Sequence, residues 1–165
     1  MQAAQAIDLA EEARRQLQLP EPEIRTSPPA GTDSVVGVPV YLWVPPEAWQ
    51  AEEATAEIPG VVVTVRAVPD RTVWDMGNGD QVVCLGPAEA WDPSLPENAQ
   101  PSTCRYSYRT TSAGQPGERF TVTATVYWKA SWSVVGAPGG GDLGEIARSS
   151  STTTRVAQIQ TVNIY

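Results

Sequence analysis

The stretch RFTVTATVYWKASWSVV, residues 119–135, decides the fold. Val122, Ala124, Val126, Trp128, Ala130 and Trp132 alternate with Thr121, Thr123, Thr125, Tyr127, Lys129 and Ser131. Strict period-two alternation is the pattern of a β-strand with one buried face. The strand is long, so it is expected to change sheets or to carry a bulge. Downstream, GAPGGGDLGE (136–145) reads as a flexible tip and STTTRVAQIQTVNI (151–164) as a returning last strand. A long hairpin is the simplest pairing of the two.

Working backwards, TCRYSYRT (103–110), QVVCLG (81–86), RTVWDM (71–76) and VVVTVRAV (61–68) are further strand candidates. In the last of these, Val61, Val63, Val65 and Ala67 share one face. VVGVPVYLWV (35–44) is another, with Pro39 suggesting an edge or a bulge. PPEAWQAEEATAEIPG (45–60) reads as a polar excursion with a helical turn at 46–53. The stretch 87–101 reads as a long proline-rich loop holding Trp91. Short, closely spaced strands with few helices predict an all-β sandwich over 35–165. No internal repeat interrupts that reading.

Two segments precede the sandwich. Residues 1–18 read as an amphipathic helix, with Ala3, Ala6, Ile7, Ala10, Ala13 and Leu17 on one thin stripe. Such a helix is marginal alone in water. It needs its own domain, a second copy or another protein, or it serves as a stalk. The expectation is a protein partner or self-association through this helix. Residues 19–34 carry four prolines and read as a semi-rigid linker.

Composition closes off several functions. The net charge is -8, which argues against nucleic acid, whose binding rests on Lys and Arg releasing counterions. It also argues against an anionic lipid surface. The chain has no histidine, which removes Ser-His-Asp and Cys-His catalysis and most zinc sites. Lys129 is the single lysine. The 15 prolines and 13 glycines mark a turn-rich chain, below the roughly 25–30% of these residues that signals disorder.

The two cysteines, Cys84 and Cys104, admit two readings: a redox switch, or one structural disulfide. The disulfide is the reading adopted, and it implies an oxidising, extracytoplasmic setting. It would contribute on the order of 3 kcal/mol. MQAAQAIDLAEEARRQL lacks the apolar core of a secretory signal, and no long apolar run spans a membrane. Any membrane contact is therefore expected through a segment outside these residues.

VWDMGNGD (73–80) and YSYRTTSAGQPGERFTVTATVYW (106–128) together resemble the two hallmarks of polycystic-kidney-disease (PKD) domains. These are a W-D-F-G-D-G hairpin and, later, an aromatic strand, a P-G turn and an alternating strand. Met76 stands for the Phe and Asn78 for the second Asp, and Arg105 or Tyr106 for the usual His. The chain is also similar, over nearly its whole length, to secreted or membrane-anchored actinobacterial proteins without an assigned activity. The resemblance implies a seven-stranded, immunoglobulin-like sandwich with an interaction or spacer role and no catalysis. Cys84 after the first motif and Cys104 before the second would then pin the intervening loop.

Within the first motif, Trp74 is expected to anchor the core, Asp75 to cap the turn, and Gly77, Asn78 and Gly79 to make the reversal. The competing reading takes Asp75, Asn78 and Asp80 as oxygen ligands for a calcium ion, although their spacing is not that of an EF-hand. No other cofactor is expected. Trp49 and Trp91, in loops beside acidic residues and prolines, either plug the fold or stack on sugars. Glu47, Glu52, Glu53 and Glu57 read as a solvated face, since nothing sets two carboxylates across a cleft as glycoside hydrolysis requires. The expected function is a non-catalytic interaction or assembly module at a bacterial cell surface or envelope. The runner-up is a carbohydrate- or cell-wall-binding module using Trp49 and Trp91.

Overall fold

The computed structural model of the chain describes residues 3–159. It is a β-sandwich-like fold with one N-terminal helix, α1 (Ala3–Gln16). The strands are β1 (Arg25–Ser27), β2 (Ser34–Val35), β3 (Val40–Trp43), β4 (Glu52–Ile58), β5 (Val61–Asp75), β6 (Gln81–Leu85), β7 (Arg105–Tyr106), β8 (Phe120–Val135), β9 (Gly141–Thr154) and β10 (Val156–Ala157). The main sheet runs β4-β5-β8-β9, and β6 also pairs with β5. A smaller sheet runs β1-β3-β7, and β10 pairs with β2 in parallel.

The segments 61–68 and 71–76, read from the sequence as two strands, form the single strand β5. Its early residues Val63, Val65 and Ala67 are buried, and so are the later residues Thr72 and Trp74 and, just past its end, Met76. The switch from odd to even positions comes from a register shift against β8 between Pro69 and Arg71, which leaves Asp70 as the extra residue. A bulge of this kind puts two residues opposite one. Pro69 is tolerated in a central strand because it falls in a gap: β4 pairs only as far as Ala67, and β6 begins at Arg71. Arg71 fixes the bulge from the outer face. It reaches Asp70 at 3.0 Å and Glu145 at 2.7 Å, and lies 4.2 Å over the Tyr127 ring.

The buried face of the main sheet has two covers. Over one half, Trp74, Val122 and Ala124 pack with Val40 and Leu42 of β3, with Val44 just after it, and with Tyr108. Over the other half, Val63, Val65 and Trp128 pack under Ala10 and Ala13 of α1 and Leu17 just after it. Trp49 touches both clusters. The helix stripe is thus consumed by the chain's own sheet, and the small alanines let the helix lie close. Ile7, placed on that stripe by its spacing, is 49% exposed. Leu9, off the stripe's edge, packs against the cluster instead.

Residues 19–34 lie along the sandwich and do not hold the helix away from it. Leu19 and Pro22 are buried, Ile24 packs on the core, and β1 pairs with β3. The Pro22 carbonyl accepts a hydrogen bond from Ser150 Oγ. Four more sequence expectations change. The stretch 45–60 holds a short 3-10 turn (Pro46–Ala48) followed by β4, whose glutamates face solvent along an edge. Strand 103–110 shrinks to β7, because the chain turns away after Tyr106. Pro39 precedes β3 instead of interrupting it. The tip 136–145 is strand from Gly141, so the β8–β9 hairpin begins ten residues earlier than the 151–164 expectation. The portion of that expected strand at 160–164 lies outside the described residues.

Docking of α1 is directly testable. Ala10→Asp places an unpaired carboxylate at a fully covered position and should lower stability by roughly 3 kcal/mol or more. Ile7→Ala should stay within about 0.5 kcal/mol. Urea unfolding of the two variants beside the parent chain measures both.

Candidate functional site

The most highly organised polar cluster is the hairpin joining β5 to β6. Asp75 Oδ1 accepts the backbone N–H of Gly77 at 2.9 Å, and Asn78 Oδ1 accepts that of Asp80 at 3.0 Å. The Met76 N–H donates to the Asp80 carbonyl at 3.0 Å. These are Asx-type closures, which short polar side chains make with backbone two residues on. Gly77 has φ +81°, and a Cβ there would lie 2.5 Å from the Thr121 carbonyl oxygen. Only glycine fits both the conformation and the close approach to β8.

Two tyrosines brace the hairpin from the second sheet side. The buried Tyr108 hydroxyl donates to the Met76 carbonyl at 2.8 Å. Its ring stacks on Phe120, centroids 4.9 Å apart, and meets Tyr106 edge to face. Burial pushes the Tyr108 hydroxyl far above the ordinary phenol range, so it stays a donor. The Tyr106 hydroxyl donates to Asp80 Oδ2 and accepts Asn78 Nδ2 at 2.7 Å. Its pKa is raised, first by burial and then by the hydrogen bond to Asp80. The Asp80 carboxylate, which the turn itself does not employ, is therefore taken up by Tyr106. That pairing spans 26 residues of sequence, and motif spacing held no signal for it.

Asp75, Asn78 and Asp80, the residues of the calcium reading, are thus each engaged in closing the hairpin. Among the described residues no group of three or more Asp, Glu, His or Cys side chains is placed to hold a metal ion. Trp74 is 1% exposed and anchors the core beneath the turn. Gly79, at φ +94°, completes the reversal with Asn78.

Cys84 and Cys104 are joined in a disulfide, with Cα atoms 5.8 Å apart. The bond ties β6 of the main sheet to the segment entering β7 of the smaller one. It closes the loop that carries Trp91. Trp91 is half-buried, and its ring lies 4.9 Å from that of Tyr41, tilted by 51°. Trp49 is likewise half-buried, wedged where the two core clusters meet. Both tryptophans therefore have packing roles, and neither stands free as a flat platform. Glu52, Glu53 and Glu57 spread along β4, where Glu53 meets Arg66 at 3.3 Å. They form one edge and do not face each other across a cleft.

The surface feature the sequence did not reveal lies beside the disulfide. An apolar groove of about 820 Å³ runs between β6 and the start of the loop. Pro46, Val83, Leu85, Pro87, Ala88 and Ala90 line it. Val83 is 58% exposed and Leu85 84% exposed. Period two shows that Val83 and Leu85 share a face, but only the pairing of β6 with β5 shows which face is out.

No family model matches the chain, and neither a curated protein nor a solved structure shows significant similarity to it.

Two outcomes test the hairpin and its bridge. Gly77→Ala should cost roughly 2 kcal/mol or more, since strain and collision act together. Reducing the disulfide should lower stability by on the order of 3 kcal/mol. Thermal melts of the variant, and of the parent with and without reductant, read these losses. Calcium or a chelator should leave the parent melting temperature unchanged.

Proposed function

We propose that the chain is a non-catalytic, extracytoplasmic interaction and assembly module of a bacterial cell-surface or envelope protein. The sandwich would be of the PKD or immunoglobulin-like type. Its support is the Trp-Asp-x-Gly-x-Gly hairpin packed against an alternating β8, with an aromatic segment beside both. The disulfide supports an oxidising compartment. No helix among the described residues is long and apolar enough to cross a membrane, so an anchor would lie elsewhere.

The observation that carries the interaction reading is the groove with Val83 and Leu85 at its rim. Val83 and Leu85, side by side on one face next to a proline-lined depression, form a contiguous apolar surface that a protein partner could cover. The lining is mostly apolar, with the exposed Glu89 and Thr103 at its margin. The second reading is a carbohydrate- or cell-wall-binding module, which would have to use the part of Trp91 that its packing on Tyr41 leaves open.

The two readings separate experimentally. Affinity capture from the native host should retain a protein partner on the parent chain. A Val83→Asp/Leu85→Asp double variant should reduce that capture at least tenfold, a loss of about 1.4 kcal/mol. Equal capture by both chains, or none by the parent, defeats the interaction reading. Retention on cell-wall glycan that disappears in Trp91→Ala would establish the second.

A further inference from the structure

The main sheet ends on one side in β9, a strand of 14 residues whose backbone pairs with β8 alone. Alternate residues of such a strand turn their N–H and C=O groups away from the sheet, ready for another strand. Natural edges are usually blunted by charge, proline or a bulge. On β9 these devices sit at the beginning: a register shift near Asp142–Gly144, then Glu145 and Arg148. From Ser149 to Thr154 the run is SSSTTT, with no charge, proline or glycine. The 19–34 segment meets it through the inward side chains of Ser150 (to Pro22) and Thr154 (to Ser34), while Ser149, Ser151 and Thr153 are exposed.

The opposite margin differs. There β4 carries Glu52, Glu53 and Glu57, and β6 has five residues and is tied down through Cys84. A chain of net charge -8 would repel itself at β4.

We propose that β9 is an interface at which two copies of this chain pair edge to edge, antiparallel, about an axis at Ser151. An interface between identical copies must complement itself, and an uncharged run does so without like-charge contact. Centring on Ser151 sets Ser149 opposite Thr153 of the other copy and Ser150 opposite Thr152. Odd residues then meet odd ones, so the outer faces of both sheets stay outward. The chemistry of these pairs is already present within one copy. On the outer face Thr123 and Ser151 hydroxyls lie 2.8 Å apart, as do those of Thr125 and Ser149. A second β9 continues that hydroxyl ladder by one strand. The interface is separate from the groove at β6, which lies on the other side of β5 from β8 and β9.

Light scattering over a concentration series tests the pairing. The parent mass should rise towards twice that of one chain. Ser151→Lys, which blocks an edge by charge and bulk, should hold the single-chain mass with an unchanged melting curve. Leu85→Asp should dimerise as the parent does. The two native cysteines are already bonded to each other, so a single added thiol gives a clean report. Ser151→Cys should form a covalent dimer on mild oxidation, and Thr123→Cys, one strand further in, should not. A parent that keeps the single-chain mass throughout overturns the proposal. So does a dimer that Ser151→Lys leaves intact, which would place association on another surface or with another strand.

Discussion

The bulge at Pro69–Arg71 is the constraint on which the rest of the molecule depends. β5 is the central strand, and its first half needs odd residues inward to meet α1. Its second half needs even residues inward, so that Trp74 and Met76 reach the core under β3. One extra residue, Asp70, reconciles the two. Without it, Trp74 would trade faces with Val73 and Asp75, burying a carboxylate at a cost of several kcal/mol. The charges around the bulge tie it across three strands: Arg71 on β5 holds Asp70, reaches Glu145 on β9 and stacks on Tyr127 of β8. The Arg71 hydrogen bond, ahead of the opposing desolvation, holds the Asp70 carboxyl below its usual range.

A sheet with one continuous apolar face must be covered along its whole length, and a three-stranded second sheet is too short for this one. The helix supplies the remainder. Its alanines give little burial each, but they let α1 approach closely enough to seal Val63, Val65 and Trp128. The proline-rich segment follows from the same geometry: it carries the chain from helix to β1 along the open side of the sandwich. The disulfide closes the far side, joining β6 to the smaller sheet at the edge where no strand continues. With the inner surfaces covered in this way, the groove at β6 and the edge of β9 lie on the outside of the sandwich.

The hairpin at 72–81 shows how far residue types alone can mislead about chemistry. Two carboxylates and an amide within six positions are what a cation site would use. Here each finds a partner that closes the turn: Gly77 for Asp75, the Asp80 N–H for Asn78, and Tyr106 for Asp80. The first two partners are local and legible from the sequence, because Asx closure acts over two residues. The third is not, because Tyr106 arrives on a strand of the other sheet.

The sequence by itself determined the β class, the alternation of β8, the turn chemistry of Asp75 through Gly79, and the two cysteines as the only candidate bridge. Each depends on neighbours one to four residues apart or on simple counting, so no tertiary information was needed. The tertiary structure decided what the helix covers, that 19–34 is packed against the sandwich, that 61–75 is one bulged strand, and that Val83 and Leu85 face outward. It also decided that Trp49 and Trp91 pack against the fold. These outcomes depend on which surfaces of distant segments meet. Ala10 against Val63, or Cys84 beside Cys104, is fixed only when the whole sheet has closed, because burial is a property of the assembled fold and not of any residue in it.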